Sequence, residues 1–307
     1  MGTLGKKLKF IYNAHPYGYR SDMVIVKDRE ELIFVLEQQT TNIYINGDIT
    51  LLDDTDNYGY RHLIDGVGRV KPEEFNTWAI GPECKELNIL FYKYKGNPKI
   101  SNWTVDHLVS CRYLFSESGI VDCSHLHFYS CEDAQNMFER CKKLTRLPKF
   151  YSVRFMGYMC DECVNLLSID DALINTEIIT DMEYAFNKCK SIKSAFIDCN
   201  FDHLISDQNN VFEDCISLEQ AFNSCRFQGS YKLSFNEFFK GCKLLSSAFN
   251  NCLFVDKILN MNNVFKGCDN ISEVFNDCGK IKIHKHRTIN LSCVVSDSAF
   301  DNTEIVV

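Results

Sequence analysis

Eight cysteines in the second half of the chain stand at positions 189, 199, 215, 225, 242, 252, 268 and 278, so their steps alternate between 10 and 16 residues with a single 17. Three positions before each stands a phenylalanine: Phe186, Phe196, Phe212, Phe222, Phe239, Phe249, Phe265 and Phe275. The unit recurs every 26 or 27 residues. A fixed period in that range is the mark of a solenoid or array, because one coil cannot bury its own apolar side and must stack on a neighbour. Two copies show the agreement: Phe212-Glu-Asp-Cys215-Ile-Ser-Leu218-Glu-Gln-Ala221-Phe222-Asn-Ser-Cys225-Arg-Phe227, and Phe239-Lys-Gly-Cys242-Lys-Leu-Leu245-Ser-Ser-Ala248-Phe249-Asn-Asn-Cys252-Leu-Phe254.

The register continues backward in weaker form. Phe138 precedes Cys141, Cys160 takes the Phe slot before Cys163, and Phe115 precedes Ser118 where a Cys would stand. Cys84-Lys-Glu-Leu87, followed by Asn-Ile-Leu-Phe-Tyr, reads as the first coil. The solenoid is therefore expected over residues 84–279, as about eight repeats of roughly 22–34 residues. In such a stack Phe, Leu and Cys form ladders, a free Cys packing as a small hydrophobe. Within a coil, a short helical turn is expected around each first Phe-x-x-Cys and a short strand after the Leu. Ala299-Phe300-Asp-Asn-Thr303 reads as a last degenerate copy.

The period is lost before Cys84, and residues 1–83 read as a small α/β N-terminal cap. Met23–Val26 suits a strand and Asp28–Gln39 a helix with Leu32, Ile33, Val35 and Leu36 apolar. Asn42-Ile-Tyr-Ile alternates as a strand broken at Asn46-Gly47. At the other end residues 280–307 read as a C-terminal cap, with Lys280-Ile-Lys-Ile-His-Lys-His as a charged edge strand.

Sixteen cysteines in a chain of 307 residues could suggest a disulfide scaffold, but that reading belongs to short secreted chains. The start, Met1-Gly2 onward, has no apolar stretch of signal length and no myristoylation pattern, so an intracellular or virion-associated protein with reduced, buried thiols is expected. Equivalent cysteines of successive coils also point in parallel, which disfavours bridging them. A net charge of −8 argues against nucleic acid. No apolar run approaches the ~18 residues of a membrane span, so membrane insertion is not expected.

One stretch resembles a known family. Ile100-Ser-Asn-Trp103-Thr-Val-Asp-His-Leu-Val-Ser-Cys-Arg-Tyr-Leu114-Phe115 is similar to the W-D-x-S-N-V-x-x-M-x-x-M-F signature of the bacterial surface-protein 26-residue repeat, the BspA-like leucine-rich repeats. Thr180-Asp-Met182-Glu-Tyr-Ala185-Phe186-Asn-Lys-Cys189-Lys-Ser-Ile192 resembles its T-D-M-x-x-M-F-x-x-C-x-x-L stretch. The resemblance implies an α/β repeat protein, a leucine-rich-repeat-like β-solenoid with short strands and helical turns, used to bind proteins or carbohydrates without catalysis. Two departures stand out: members of that family are normally exported, and the later copies here carry a second Ala-Phe-x-x-Cys.

No residue is assigned a catalytic, cofactor-binding or metal-binding role. Cys160-x-x-Cys163 could be half a zinc site or a redox pair, but no second ligand pair lies at finger spacing and both positions fall on the repeat ladder. His284-Lys-His286 and His125-Leu-His127 read as solvated strand faces rather than ligand pairs. Asp53-Asp54 and Asp170-Asp171 are adjacent carboxylates without an Asp-x-Asp-Gly loop and read as surface acid. Asn102-Trp103-Thr104 is a glycosylation triplet that has meaning only on export. No nucleophile elbow, phosphate loop or His-Glu-x-x-His occurs. The expectation is a non-enzymatic interaction protein that binds a protein or glycan along the solenoid. The alternative is a structural part of a larger assembly such as a phage virion or tail, with an enzyme built on a β-helix as the outsider.

Overall fold

A computed structural model describes residues 19–50, 71–205, 207–228, 230, 232–254, 258–283 and 303–306. Near the start, β1 (Val24–Val26), α1 (Arg29–Glu37), β2 (Ile43–Ile45) and β3 (Ala79–Ile80) follow in order, and the three strands form a parallel sheet. The strand, helix and strand expected from the apolar pattern are all present. Asp28 caps α1 by accepting a hydrogen bond from the Glu31 N–H, satisfying one of the donors a helix start leaves free.

The rest of the described residues form a β-solenoid. Strands β4 (His127–Phe128) and β5 (Lys149–Phe150) pair in parallel. In the regular coils come β6 (Ser194–Ala195), β7 (Asn200–Phe201), β8 (Gln220–Ala221), β9 (Arg226–Phe227), β10 (Lys232–Ser234), β11 (Ser247–Ala248), β12 (Leu253–Phe254), β13 (Ile258–Asn260), β14 (Glu273–Val274), β15 (Gly279–Ile283) and β16 (Thr303–Val306). They sort into three parallel sheets, in orders β6-β8-β11-β14, β7-β9-β12 and β10-β13-β15-β16. Each pairing joins residues one repeat apart, as Ala221 with Ala248 and Phe227 with Phe254. The third face extends backward as single-residue bridges, Glu86 to Ser110, Ser110 to Asp133, Asp133 to Phe155 and Phe155 to Asp181. The strand expected after each Leu is present in β6, β8, β11 and β14.

The phenylalanines hold the coils in register. Phe91, Phe115 and Phe138 stack with centroids 5.3 and 5.4 Å apart and ring planes within 6°. Phe186, Phe212, Phe239 and Phe265 continue the column at 5.4, 6.0 and 5.8 Å. Between the two runs stands Cys160, fully buried in the Phe slot. A second column runs through Phe196, Phe222, Phe249 and Phe275, and a third through Phe201, Phe227 and Phe254. Burying one such ring is worth about 1.5–3 kcal/mol, and each ring pair adds about 0.5–1.5 kcal/mol.

The helical turn expected at each first Phe-x-x-Cys is not formed. Instead the residues two before and two after the Phe take left-handed backbone: Tyr184 and Lys188 (φ 55° and 57°), Asn210 and Asp214 (57° and 58°), Glu237 and Gly241 (52° and 77°). The reason lies in where the N–H groups go. Tyr184, Phe186 and Lys188 donate to the carbonyls of Asn209, Val211 and Glu213 in the next coil at 3.1, 3.0 and 2.7 Å, so they are not available for i to i−4 bonds. Three intercoil bonds per turn offset a left-handed cost of about 1–2 kcal/mol per residue.

This arrangement explains the cysteines. The carbonyl of Phe212 accepts the N–H of Cys215 at 3.2 Å and the Cys242 thiol of the following coil at 2.9 Å. The same pair of bonds converges on Phe115, Phe138, Phe186 and Phe239, and in the second column the thiols of Cys225, Cys252 and Cys278 reach Phe196, Phe222 and Phe249. A thiol is apolar enough to be buried and still donates to the carbonyl's second lone pair. The fifteen described cysteines are free, and all but the half-buried Cys199 are buried. Cys293, His284, His286, Asp53, Asp54, Ala299 and Phe300 lie outside the described residues.

The expected edge strand at Lys280 is an inner one. β15 pairs with β13 on one side and with β16 on the other, so the outermost strand of that sheet is Thr303–Val306.

Candidate interaction surface

Stacking puts equivalent side chains one above another, and two left-handed positions per coil turn most of theirs outward, Ile89 and Asn210 being buried. At the second position the column reads Lys93, Glu117, Arg140, Glu162, Lys188, Asp214, Gly241 and Gly267. Charge alternates through the first six. Glu117 lies 3.7 Å from both Lys93 and Arg140, and Glu162 lies 3.7 Å from Arg140 and 3.2 Å from Lys188. At Gly241 and Gly267 the column loses its side chains, while the backbone keeps the left-handed turn at φ 77° and 75°.

The first left-handed position carries Tyr113, Tyr158 and Tyr184, the last two stacked at 4.8 Å. Tyr158 and its neighbour Phe155 are each 38% exposed. Around them stand Asp133, Asp181 and Glu183, each carboxyl raised above the usual range first by burial. The fields of Asp133 on Asp181, and of Asp181 and Asp207 on Glu183, add to the effect. Asp161 is raised to about 6, by burial and then by Glu162 and Glu139. Elsewhere Tyr129, half exposed, stacks on Tyr151 at 4.3 Å, with His127 beside both.

Asparagines tie the turns together. Asn209 accepts from the Asn236 N–H and Asn236 from the Asn262 N–H, at 3.2 and 3.1 Å. Asn223, Asn250 and Asn276 repeat the pattern at 3.0 and 2.9 Å. Each side chain satisfies a backbone donor of the next coil, leaving a rigid surface.

Of the residues singled out from sequence, Cys160 and Cys163 are both fully buried, Cys163 donating to the Phe138 carbonyl at 3.0 Å. Burial pushes Cys160, Cys141, Cys189 and Cys242 well above the usual thiol range, which makes thiolate chemistry unfavourable there. His127 sits on β4 with its Nδ1 3.3 Å from the Tyr151 hydroxyl. Asp170 accepts from the hydroxyls of Ser168 and Ser194 at 3.2 and 3.1 Å, partners that tie it to its own coil and the next. Trp103 is buried, its indole N–H donating to Phe75 at 3.0 Å, while Asn102 is exposed. Among the described residues no group of three or more His, Cys, Asp or Glu is placed to hold a metal ion. None of the helices there is long and apolar enough to cross a membrane. Sequence reasoning missed the charge and tyrosine columns. Their signal is the residue two after, or two before, each Phe, readable once the earlier coils are put in register.

The profile of the family described as "Mycoplasma protein of unknown function, DUF285" matches this chain twice, over residues 63–168 and 154–278. No curated protein and no solved structure matches it.

Proposed function

The chain belongs to the DUF285 family of Mycoplasma proteins of unknown function, and from that premise we propose that it is a non-catalytic interaction protein, binding a protein or glycan partner along its solenoid surface. The observation that carries the reading is the aromatic and acidic strip on successive coils, with Phe155 and Tyr158 exposed and Tyr184, Asp133, Asp181 and Glu183 half-buried beside them. Aromatic side chains supply contact area at low entropic cost, and the Asn columns and intercoil bonds hold them in place before a partner arrives. The solenoid is of the leucine-rich-repeat kind in this reading, with residues 1–83 closing one end of the stack as repeat proteins require.

A glycan array and a displayed peptide library, screened in parallel, test it. Binders that saturate and weaken at least tenfold with Tyr158→Ala or Tyr184→Ala support the reading. A hydrolytic turnover that copurifies with the protein and disappears on a single polar substitution overturns it.

A further inference from the structure

A second feature of the surface is independent of the tyrosine strip. The position four after each column Phe reads Lys95, Gly119, Lys142, Val164, Lys190, Ile216, Lys243 and Asp269. Gly119 is its one glycine, and it stands between two lysines. Its own coil passes so close to the preceding one that a Cβ would meet the Lys95 carbonyl oxygen at 2.2 Å. With no side chain there, the surface opens into a cleft of about 310 Å³ lined by Lys95, Glu117, Ser118, Gly119, Arg140, Lys142 and Lys143.

The lining is four cations and one carboxylate. Glu117 is already shared between Lys93 and Arg140, and Arg140 is held by Glu139 and Glu162 as well. Lys142 and Lys143 are exposed, and no carboxylate among the described residues lies within ion-pair distance of them or of Lys95. The Lys95 ammonium donates to the Glu117 carbonyl at 3.1 Å, which leaves it two further donors. Lys95 and Lys142 sit two coils apart, a span of about 9–10 Å at ordinary strand spacing. We propose that this cleft binds a compact, multiply charged oxyanion of the phosphate or sulfate type, its charged groups bridging Lys95 on one side and Lys142 and Lys143 on the other.

Two observations narrow the ligand. No aromatic ring lines the cleft, so nothing there stacks on a base or a sugar face. The chain as a whole carries −8, and its field repels a long polyanion while a local cluster of lysines still holds a small one. The site deepens the interaction reading by giving it a ligand class, and it uses residues other than the tyrosine strip.

Calorimetric titration of the full chain at low salt with pyrophosphate, inorganic phosphate, sulfate and glycerol 3-phosphate tests the proposal. Pyrophosphate is expected to bind one per chain and more tightly than phosphate or sulfate, and to weaken at least tenfold in K142A/K143A. Lys190→Ala, in the same column but outside the cleft, should stay within twofold of the parent. Glycerol 3-phosphate binding more tightly than inorganic phosphate would mark an esterified phosphate as the source; binding no tighter than it would mark the free anion, and binding as tight as pyrophosphate would overturn the bridging. Thermal unfolding of both variants checks that they fold. No saturable binding by any probe, or binding unchanged in folded K142A/K143A, overturns the proposal. Either failure leaves the interaction reading standing, because that is decided by Tyr158 and Tyr184.

Discussion

Asp161 shows at the residue scale what the stack costs. It is 7% exposed, accepts from the Asn187 amide at 2.9 Å, and lies near Glu139 and Glu162. Its carboxyl is raised from 3.8 to about 6, so between those values the folded chain holds a proton that the unfolded chain releases. That contribution favours folding below pH 3.8 and is lost as pH rises toward 6. Asp161→Asn keeps the acceptor for Asn187 and removes the charge. We expect it to stabilise the protein by about 1 kcal/mol at pH 7, where a tenfold change in proton affinity is worth about 1.4 kcal/mol. Little effect is expected at pH 4. Urea unfolding at the two pH values checks this. Cys215→Ala tests the thiol bond: the Phe186 carbonyl keeps the Cys189 N–H and loses the Cys215 thiol at 3.1 Å. The expected loss is about 1–2 kcal/mol, and Cys215→Ser should recover part of it.

At the scale of the element, the left-handed turn is where sequence and structure part. The Phe and Cys columns, the buried thiols and the strand after each Leu follow from spacing alone. The turn does not, because most of its left-handed positions carry Lys, Glu, Arg or Tyr, and only a minority carry the Gly, Asn or Asp that normally mark such backbone, as Gly241, Gly267, Asn210 and Asp214 do. A Phe-x-x-Cys-x-x-Leu run has helical spacing, and only the intercoil N–H bonds decide against the helix. The charge column was hidden for a related reason: the coils up to Cys163 run only 22 to 24 residues, so a strict 26-residue register slides off it. Lys188→Glu places like charges beside Glu162 and is expected to cost about 0.5–1 kcal/mol. The reciprocal swap Glu162→Lys with Lys188→Glu restores that one pair but sets the introduced ammonium against Arg140, so it should recover little of the net loss while the pair's own coupling stays favourable. A double-mutant cycle in thermal unfolding measures the coupling, which salt should weaken.

For the whole molecule, each coil touches its neighbours and little else, so damage stays local. Phe222 stacks on Phe196 and Phe249 and meets Phe227 and Phe238. Phe222→Ala is expected to remove about 3–5 kcal/mol and to raise hydrogen exchange in residues 186–278 well before residues 100–165. The neighbours of β15 are also set at this scale: alternation at Lys280 marks a strand, but what lies beside it depends on residues 303–306, far along the chain. The central claim is that residues one repeat apart are stacked, so distance should follow the number of coils. Nitroxide labels placed by noncanonical residues at Lys142 and Lys243 span four coil steps, and those at Lys142 and Asp269 span five. At about 4.8 Å per step, pulsed dipolar spectroscopy should give backbone separations near 19 and 24 Å, with label length added equally to both. Equal distances for the two pairs, or a shorter one for the second, would contradict the stack.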